Sequence, residues 1–222
     1  MKKKNKIELM SGISCIALFI IWTVLIMTAD VRPLGVNGTD IGLAGINTWF
    51  HSLTKVNMTL YNITDWLGLV PVAVCMIFAF TGLLQLIKRK SLIRVDADII
   101  ALGVYYVIVI SGYLIFEMIP INYRPILING YMEASYPSST TLLVLCVMPT
   151  LVFQADRRLK NIRIKRLIAV LSVMFSVFMV VGRLISGVHW LTDITGSVFL
   201  SGGLFLLYKS VACFITKNNT EK

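Results

Sequence analysis

Three short clusters of polar residues interrupt a sequence that is otherwise strongly apolar. They cover residues 117–125, 136–141 and 182–193. In the third cluster, His189 and Asp193 are four positions apart, which places them on one face of a helix that we predict to begin near Val188. The Asp193 carboxylate can then accept the proton of one imidazole nitrogen and leave the other nitrogen free to act as a base or nucleophile. Arg183, at the end of the preceding predicted helix, can reach the same point.

The second cluster has the composition of a helix N-terminus. Pro137 suits the first helical position, because the N–H that proline lacks is not needed there. The amides of Ser138, Ser139 and Thr140 then have no acceptor within the helix, and together they form a site for an anion.

Arg124 is the residue of interest in the first cluster. Pro125 follows it and favours an extended backbone at Arg124. Taken one at a time, a His–Asp pair and a serine-rich cap are as consistent with structural roles as with functional ones. Two guanidinium groups, a helix N-terminus and an oriented histidine together are typical of a site that binds and transfers a phosphoryl group.

The three clusters resemble the motifs of the type 2 phosphatidic acid phosphatase superfamily, whose integral-membrane members are lipid phosphate phosphatases. The matching residues, in the family's order, are Arg124-Pro125, Pro137-Ser138, Arg183, His189 and Asp193. The resemblance implies that His189 is the nucleophile that takes the phosphoryl group and that Asp193 orients it. It also implies a reaction without metal or other cofactor, on a lipid phosphate or a polyprenyl diphosphate held among membrane lipids.

By the same resemblance, a second set of residues would bind the phosphate. Arg124 and Arg183 would hold its oxygens. Ser138, Ser139 and Thr140 would cradle it at the start of the helix.

The sequence departs from the family's motifs at three places. Glu117 stands where the family has a lysine, Ser139-Thr140 replaces Gly-His, and Gly182 replaces a serine. The family histidine protonates the leaving alcohol, and Thr140 has no proton to give near neutral pH. Two interpretations therefore stay open: an enzyme whose leaving group needs little protonation, unless Glu117 supplies the proton, or a relative that binds or presents a lipid phosphate without hydrolysing it.

The composition indicates the elements that must hold these clusters in place. Hydrophobic residues make up 57% of the 222 residues and charged residues 14%, with a mean hydropathy of +0.80, which excludes an ordinary soluble domain. Six uncharged windows are long enough, some with a few flanking residues, for membrane-spanning helices. They are residues 9–29, 66–87, 99–116, 138–155, 167–182 and 194–208. We therefore predict one all-α domain over residues 1–222, a polytopic bundle of six transmembrane helices.

The first long connection between these windows, residues 30–65, is predicted to contain an interfacial helix over residues 40–53. Its apolar residues form one loose face. They are Ile41, Ala44, Trp49, Phe50 and Leu53. His51, in the same segment, is predicted to be a surface or interface histidine.

The basic residues predict the orientation in the membrane. Of the 21 lysines and arginines, 17 lie in the two termini and the second and fourth connections, and four lie on the other side. The positive-inside rule then places both termini in the cytoplasm and all three polar clusters at the outer face of the cell membrane. Trp49, Trp66 and Trp190 also fall on the outer side, at the level expected for interfacial aromatic rings.

Other function classes fit the sequence less well. The distribution of the basic residues explains the net charge of +10 better than nucleic-acid binding does. The four cysteines lack ligand-like spacing and are predicted to be neither metal ligands nor disulfides. A transporter is a third possibility for the whole chain, but the apolar windows carry no charged residue midway across the membrane.

Overall fold

The chain forms a bundle of long helices in the computed structural model, which describes residues 3–220. The helices are α1 Lys3–Thr28, α2 Ala44–Thr54, α3 Met58–Leu67, α4 Leu69–Arg89, α5 Ala97–Met118, α6 Ser139–Arg158, α7 Ile162–Ile185 and α8 Leu191–Thr220. Two basic residues of the predicted cytoplasmic set, Lys2 and Lys222, lie outside the described residues, as do the side chains of Lys3, Lys4 and Lys217.

Six helical segments of the described chain are long and apolar enough to cross a membrane. They are Asn5–Thr28, Met58–Arg89, Ala97–Met118, Ser139–Arg158, Ile162–Ile185 and Leu191–Thr216. The predicted all-α fold with six spanning helices is thus confirmed. Large apolar side chains cover the outside of the bundle, such as Ile77, Phe80 and Val173, each at least 60% exposed. Such a surface is stable against lipid tails and not against water.

The second spanning helix begins earlier than predicted. Residues 58–65, which the sequence analysis assigned to a connection, form most of α3. This helix continues into α4 with a break at Gly68, so that one interrupted helix runs over Met58–Arg89. Asn57 caps it by accepting the Leu60 N–H at 3.0 Å. The break matters for function, because α3 carries side chains that reach the polar clusters.

The predicted helix in the first connection exists as α2, but its apolar residues do not share one face. Ile41, which precedes the helix, and Ala44 are fully buried in the protein. Trp49 and Leu53 point outward and are 58% and 63% exposed. Asn47 is buried as well and donates to Thr192 Oγ1 at 2.9 Å. One side of α2 therefore packs on the bundle while the other is free to meet the membrane surface.

The connection between α5 and α6 folds back on itself as a small hairpin. Ile128 and Tyr131 exchange backbone hydrogen bonds of 3.0 and 2.9 Å across a turn at Asn129-Gly130. Both turn residues have positive φ, 49° and 84°. Asn-Gly is the pair that this type of turn favours, because glycine has no Cβ and asparagine tolerates left-handed backbone. The hairpin brings Arg124 and Glu133 opposite each other, joined by Arg124 N–H to the Glu133 carbonyl at 3.1 Å.

The polar clusters lie at the end of the bundle away from the chain termini. Helices α1 and α8 pack against each other along their lengths. Near one end Ser210 Oγ donates to the Asn5 carbonyl at 3.1 Å, and near the other Trp22 Nε1 donates to the Thr192 carbonyl at 3.1 Å. The termini therefore share one side of the bundle, and the start of α8 lies on the opposite side.

Candidate active site

His189 and Asp193 are brought together at the start of α8. The helix begins at Leu191, later than the predicted Val188, so His189 lies in the turn before the helix and Asp193 in its first turn. Asp193 Oδ2 accepts the Trp190 N–H at 2.8 Å, as a carboxylate in the first turn of a helix commonly does. The same oxygen lies 3.5 Å from His189 Nδ1. The predicted helical pairing is therefore wrong in its details, but the carboxylate still faces the imidazole.

The turn that carries His189 is held from both sides. His51 Nε2 hydrogen-bonds to the Gly187 carbonyl at 3.1 Å, and its ring packs on Trp190 at 5.5 Å between centroids. Trp190 Nε1 donates to the Tyr123 carbonyl at 2.7 Å. Trp190 is 4% exposed, so its predicted role as an interfacial ring is wrong. His51, predicted to be a surface or interface histidine, is partly exposed and supports the turn through its bond to Gly187.

Gly187 makes this turn possible. Its φ is +68°, a backbone conformation that L side chains rarely adopt. A Cβ at this position would lie 1.7 Å from the Lys55 carbonyl oxygen. The connection between α2 and α3 therefore packs directly against the turn that carries His189.

Arg124 and Arg183 converge on one tyrosine of α3. The Tyr61 ring centroid lies 4.8 Å from Arg183 Cζ and 5.7 Å from Arg124 Cζ. Arg124 Nη1 also donates to the Tyr61 hydroxyl at 3.4 Å. Stacking of guanidinium groups on an aromatic face holds them in place while their donors remain available. Tyr61 is therefore a positioning residue, and its place in a predicted connection gave no sign of this role.

Each arginine has a carboxylate partner. Arg183 Nη2 donates to Asp65 Oδ1 at 2.8 Å, and Arg124 Nη2 lies 3.1 Å from Glu133 Oε2. The two arginines are almost fully buried, whereas the carboxylates are 55% and 37% exposed. The acidic residues therefore stand at the mouth of the site, and the guanidinium groups lie inside it.

Several buried donors in this site have no acceptor among the described residues. They are Arg124 Nε, Arg183 Nε and Nη1, and Asn122 Nδ2. The two ring nitrogens of His189, one a donor and the other an acceptor in the neutral ring, also have no hydrogen bond among the described residues. Buried donors without acceptors are costly, since they lose their hydrogen bonds to water. A phosphate group offers acceptor oxygens in the arrangement that guanidinium groups bind well. Burial lowers the pKa of His189 well below 6.5, and the charges of Arg124 and Arg183 act in the same direction.

The N-terminus of α6 completes the site, and this helix begins two residues later than predicted. Ser138 is the residue before the first helical position, so Pro137 precedes the helix and does not begin it. The Ser138 amide is not free, because it donates to the Asp193 carbonyl at 3.3 Å. The amides without acceptors inside the helix are those of Ser139, Thr140 and Thr141. They carry the positive end of the helix dipole.

The three departures from the family's motifs have different surroundings. Thr140 Oγ1 accepts a hydrogen bond from Arg183 Nη2. Glu117 is exposed at the end of α5 and lines a narrow cleft with Ser135 and Ser139. A Cβ at Gly182 would lie 2.7 Å from Thr64 Cγ2, so glycine at this position allows α3 to approach α7.

An apolar groove leads from the lipid-facing surface to this site. It has a volume of about 420 Å³ and runs between α4, α5 and α6. Its walls include Val72, Val109 and Leu143, and its polar end is formed by Asp65, Ser139 and Thr140. The groove therefore ends at two residues, Asp65 and Thr140, that hydrogen-bond to Arg183.

The comparisons with known proteins agree with this architecture. The sequence matches the pattern of the PAP2 superfamily over residues 10–215. The fold resembles a solved structure from Bacillus subtilis, described as the first transmembrane PAP2 type phosphatidylglycerolphosphate phosphatase, with a TM-score of 0.65 and 17% identity over 90% of this chain and 95% of that one. No curated protein matches the sequence at a significant level. Within the described residues, no group of three or more His, Cys, Asp or Glu side chains is placed to hold a metal ion.

Proposed function

This chain belongs to the PAP2 superfamily, and from that premise we propose that it is an integral-membrane phosphatase that removes the terminal phosphate of a lipid phosphate or diphosphate. The observation that carries the proposal is the set of buried donors on Arg124 and Arg183 beside His189, which have no acceptor among the described residues. A phosphate group supplies the missing acceptors. The nearby amides of Ser139 and Thr140 supply further donors at the helix N-terminus.

His189 acts as the nucleophile in this proposal. Its Nε2 attacks phosphorus, the bond from phosphorus to the leaving oxygen breaks, and a phosphohistidine forms. Asp193 faces Nδ1 at 3.5 Å and stabilises the positive charge that develops on the ring. Water then attacks the phosphohistidine, which releases inorganic phosphate and restores the free imidazole. A lowered pKa keeps the ring neutral, and therefore nucleophilic, in the free enzyme.

The arginines stabilise the transferred group. Arg183 presents Nε and Nη1, and Arg124 presents Nε, all buried away from water. Donors that are already in position act on the charge of the phosphoryl oxygens with little reorganisation. Tyr61 maintains this preorganisation through its contacts with both guanidinium groups.

The substrate in this proposal is a lipid because the site opens into the apolar groove. Chain recognition in the groove uses aliphatic side chains, which favours apolar tails without selecting one head group. The relative from Bacillus subtilis is described as a phosphatidylglycerolphosphate phosphatase, and a glycerophospholipid phosphate is therefore one substrate to test here. A polyprenyl diphosphate is the other.

We place the site at the outer face of the cell membrane, with both termini in the cytoplasm. The support is the distribution of basic residues, 17 of which lie on the side of the termini. The substrate would then be presented in the outer leaflet.

A second candidate function is supported by the motif departures. With Thr140 in place of an acid, and with carboxylates on both arginines, a relative that binds or presents a lipid phosphate without hydrolysing it would need no other change. The presence of an oriented His–Asp pair favours the enzyme, because a binding protein has no use for a nucleophile.

Phosphate release separates the two. Purified protein in detergent should release phosphate from phosphatidylglycerol phosphate, phosphatidate or a polyprenyl diphosphate, and His189→Ala should abolish release while lipid binding remains. Asp40→Asn, an exposed change in the first connection, is the control and should match the wild type. Release by His189→Ala at the wild-type rate would overturn the mechanism. Lipid binding without release by the wild type would establish the binding function.

A further inference from the structure

The carboxylate of Asp65 stands beside the position where the family's leaving-group acid is missing. Arg183 Nη2 donates to both Asp65 Oδ1 and Thr140 Oγ1, so the two oxygens meet at one nitrogen atom. Gly68, at the break in the second spanning helix, packs against Thr140, since a Cβ there would be 3.4 Å from Thr140 Cγ2. The end of α3 thus brings the Asp65 carboxyl group next to Thr140.

The position of the groove indicates which side of a bound phosphate group the Asp65 carboxyl group faces. The leaving oxygen of the substrate is bonded to the lipid, and the lipid occupies the groove. Asp65 and Thr140 form the polar end of that groove. The leaving oxygen must therefore lie near these two residues, away from the attacking nitrogen of His189.

We propose that Asp65 is the general acid that protonates the leaving oxygen, in place of the histidine that this chain lacks at Thr140. The inference rests on the proposed hydrolase function. As Nε2 of His189 bonds to phosphorus, the bond from phosphorus to the leaving oxygen breaks, and the carboxyl proton of Asp65 passes to that oxygen to give the alcohol. The resulting carboxylate then takes a proton from the water that attacks the phosphohistidine.

The contacts of Arg183 allow both roles at once. Its Nε and Nη1 have no acceptor among the described residues and can take the phosphate, while Nη2 keeps Asp65 in place. A phosphate on Nε and Nη1 would therefore lie next to the Asp65 carboxyl group, which Nη2 holds at the end of the groove. The Asp65 side chain is 55% exposed, so water can reach its carboxyl group.

The other acidic residues of the site fit the role less well. Glu133 pairs with Arg124 on the hairpin and does not line the groove. Glu117 lines a separate narrow cleft with Ser135 and Ser139. Glu133 is therefore the matched control: a carboxylate on a site arginine that does not face the leaving group.

The test compares substrates that differ in their need for an acid. A short-chain phosphatidate has an alkoxide leaving group that needs protonation, whereas p-nitrophenyl phosphate and a polyprenyl diphosphate have stable anionic leaving groups. A general acid is worth about 10²–10⁴-fold. Asp65→Asn should therefore lower kcat for phosphatidate by about 10²-fold or more, and kcat for the other two by less than about tenfold.

Glu133→Gln should slow all three substrates by a similar factor, and Asp65→Glu, which keeps a carboxyl group, should recover part of the phosphatidate rate. A loss in Asp65→Asn that is equal for all substrates, or no loss, would overturn the assignment and leave Asp65 as a partner of Arg183. Phosphate release by the wild type and its loss in His189→Ala are measured separately. Failure of the Asp65 assignment can therefore be distinguished from failure of the hydrolase function.

A second measurement covers the case in which Asp65→Asn does not yield folded protein. The wild type and Glu117→Gln are assayed with a series of aryl and alkyl phosphates. In the wild type, kcat/KM should fall only slightly as the leaving alcohol becomes less acidic. The same shallow fall in Glu117→Gln supports Asp65 as the general acid. A steep fall in the wild type, or a shallow fall that becomes steep in Glu117→Gln, would overturn this assignment.

Discussion

The His189 ring is buried beside two arginines, and this placement links its protonation to the stability of the protein. Burial is the main cause that lowers its pKa well below 6.5. In the unfolded chain the ring regains its ordinary pKa and binds a proton at higher pH than in the native state. Stability that is fully present above about pH 6.5 is therefore lost as the pH falls towards the native pKa.

This linkage predicts that His189→Gln flattens the acid side of the stability profile. The measurement is the apparent Tm in detergent between pH 5 and pH 7.5 for both proteins. The wild type should lose more Tm than His189→Gln as the pH is lowered below 6.5, because glutamine takes up no proton on unfolding. Equal losses in the two proteins would show that the buried ring does not resist protonation.

The presence of glycine at position 182, where the family has serine, has a steric explanation that the sequence alone does not reveal. The family's serine would place its Cβ 2.7 Å from Thr64 Cγ2, a side chain that is fully buried between α3 and α7. Overpacking of this kind typically costs about 1–3 kcal/mol. Gly182→Ser should therefore lower the Tm and the activity together, since Arg183 is the next residue.

The rescue is Thr64→Ser, which removes the methyl group and keeps the hydroxyl that bonds to the Leu60 carbonyl at 2.9 Å. The double variant should regain most of the Tm lost by Gly182→Ser, and a thermodynamic cycle over the four proteins measures the coupling. Additive effects of the two changes would contradict the steric explanation.

At the scale of elements, the site depends on three short segments that the sequence analysis did not describe as structure. These are the first two turns of α3, the hairpin before α6 and the turn before α8. Hydropathy detects long apolar windows but does not detect the amphipathic end of a helix. Tyr61 and Asp65 belong to such an end, because they lie on the polar side of α3, which faces the site. The hairpin had a readable signal in Asn129-Gly130, because this pair favours a two-residue turn.

The hairpin should influence substrate binding more than folding of the bundle. Replacing Asn129-Gly130 by Ala-Ala puts two side chains at positive φ, at a cost of about 1–2 kcal/mol each. The hairpin then loosens, and Arg124, which is tied to Glu133 across it, loses its fixed position. We expect KM for the lipid phosphate to rise several-fold with a change in Tm of only a few degrees.

Met132→Ala is the control for the hairpin, because it truncates an exposed side chain of the same segment and leaves the turn residues unchanged. It should keep the wild-type KM. A normal KM in the Ala-Ala variant would mean that Tyr61 alone suffices to hold Arg124.

At the scale of the whole molecule, the apolar windows and the order of the motifs were sufficient to predict the six-helix bundle. Their success has a physical reason: a lipid bilayer admits few architectures, and uninterrupted apolar helices are the simplest of them. His189, Asp193 and both arginines could be named as candidates because their spacing is short or their motif distinctive. The contributions of Asp65, Tyr61 and His51 could not be predicted, since they arise from tertiary contacts between distant segments.

The ends of the bundle differ in charge, and this difference carries the final prediction. On the side of the termini, Arg89 and Arg158 pair with Asp96, and Arg158 also contacts Asp98 at 2.9 Å. Neutralisation by acidic partners does not cancel the orienting effect, because the positive-inside rule counts lysine and arginine and gives acidic residues little weight. Orientation should therefore follow the 17-to-4 distribution of basic residues.

Labelling of single cysteines tests this orientation. Tyr131, 75% exposed at the hairpin turn, and Lys160, exposed between α6 and α7, lie on opposite sides of the bundle. In intact cells an impermeant maleimide should modify Tyr131→Cys and leave Lys160→Cys unmodified until the membrane is opened. The unaltered protein, with its four native cysteines, gives the background. The reverse pattern would place Arg124, Arg183 and His189 on the cytoplasmic face. The chemistry of the site would be unchanged, but its lipid substrate would then have to come from the inner leaflet.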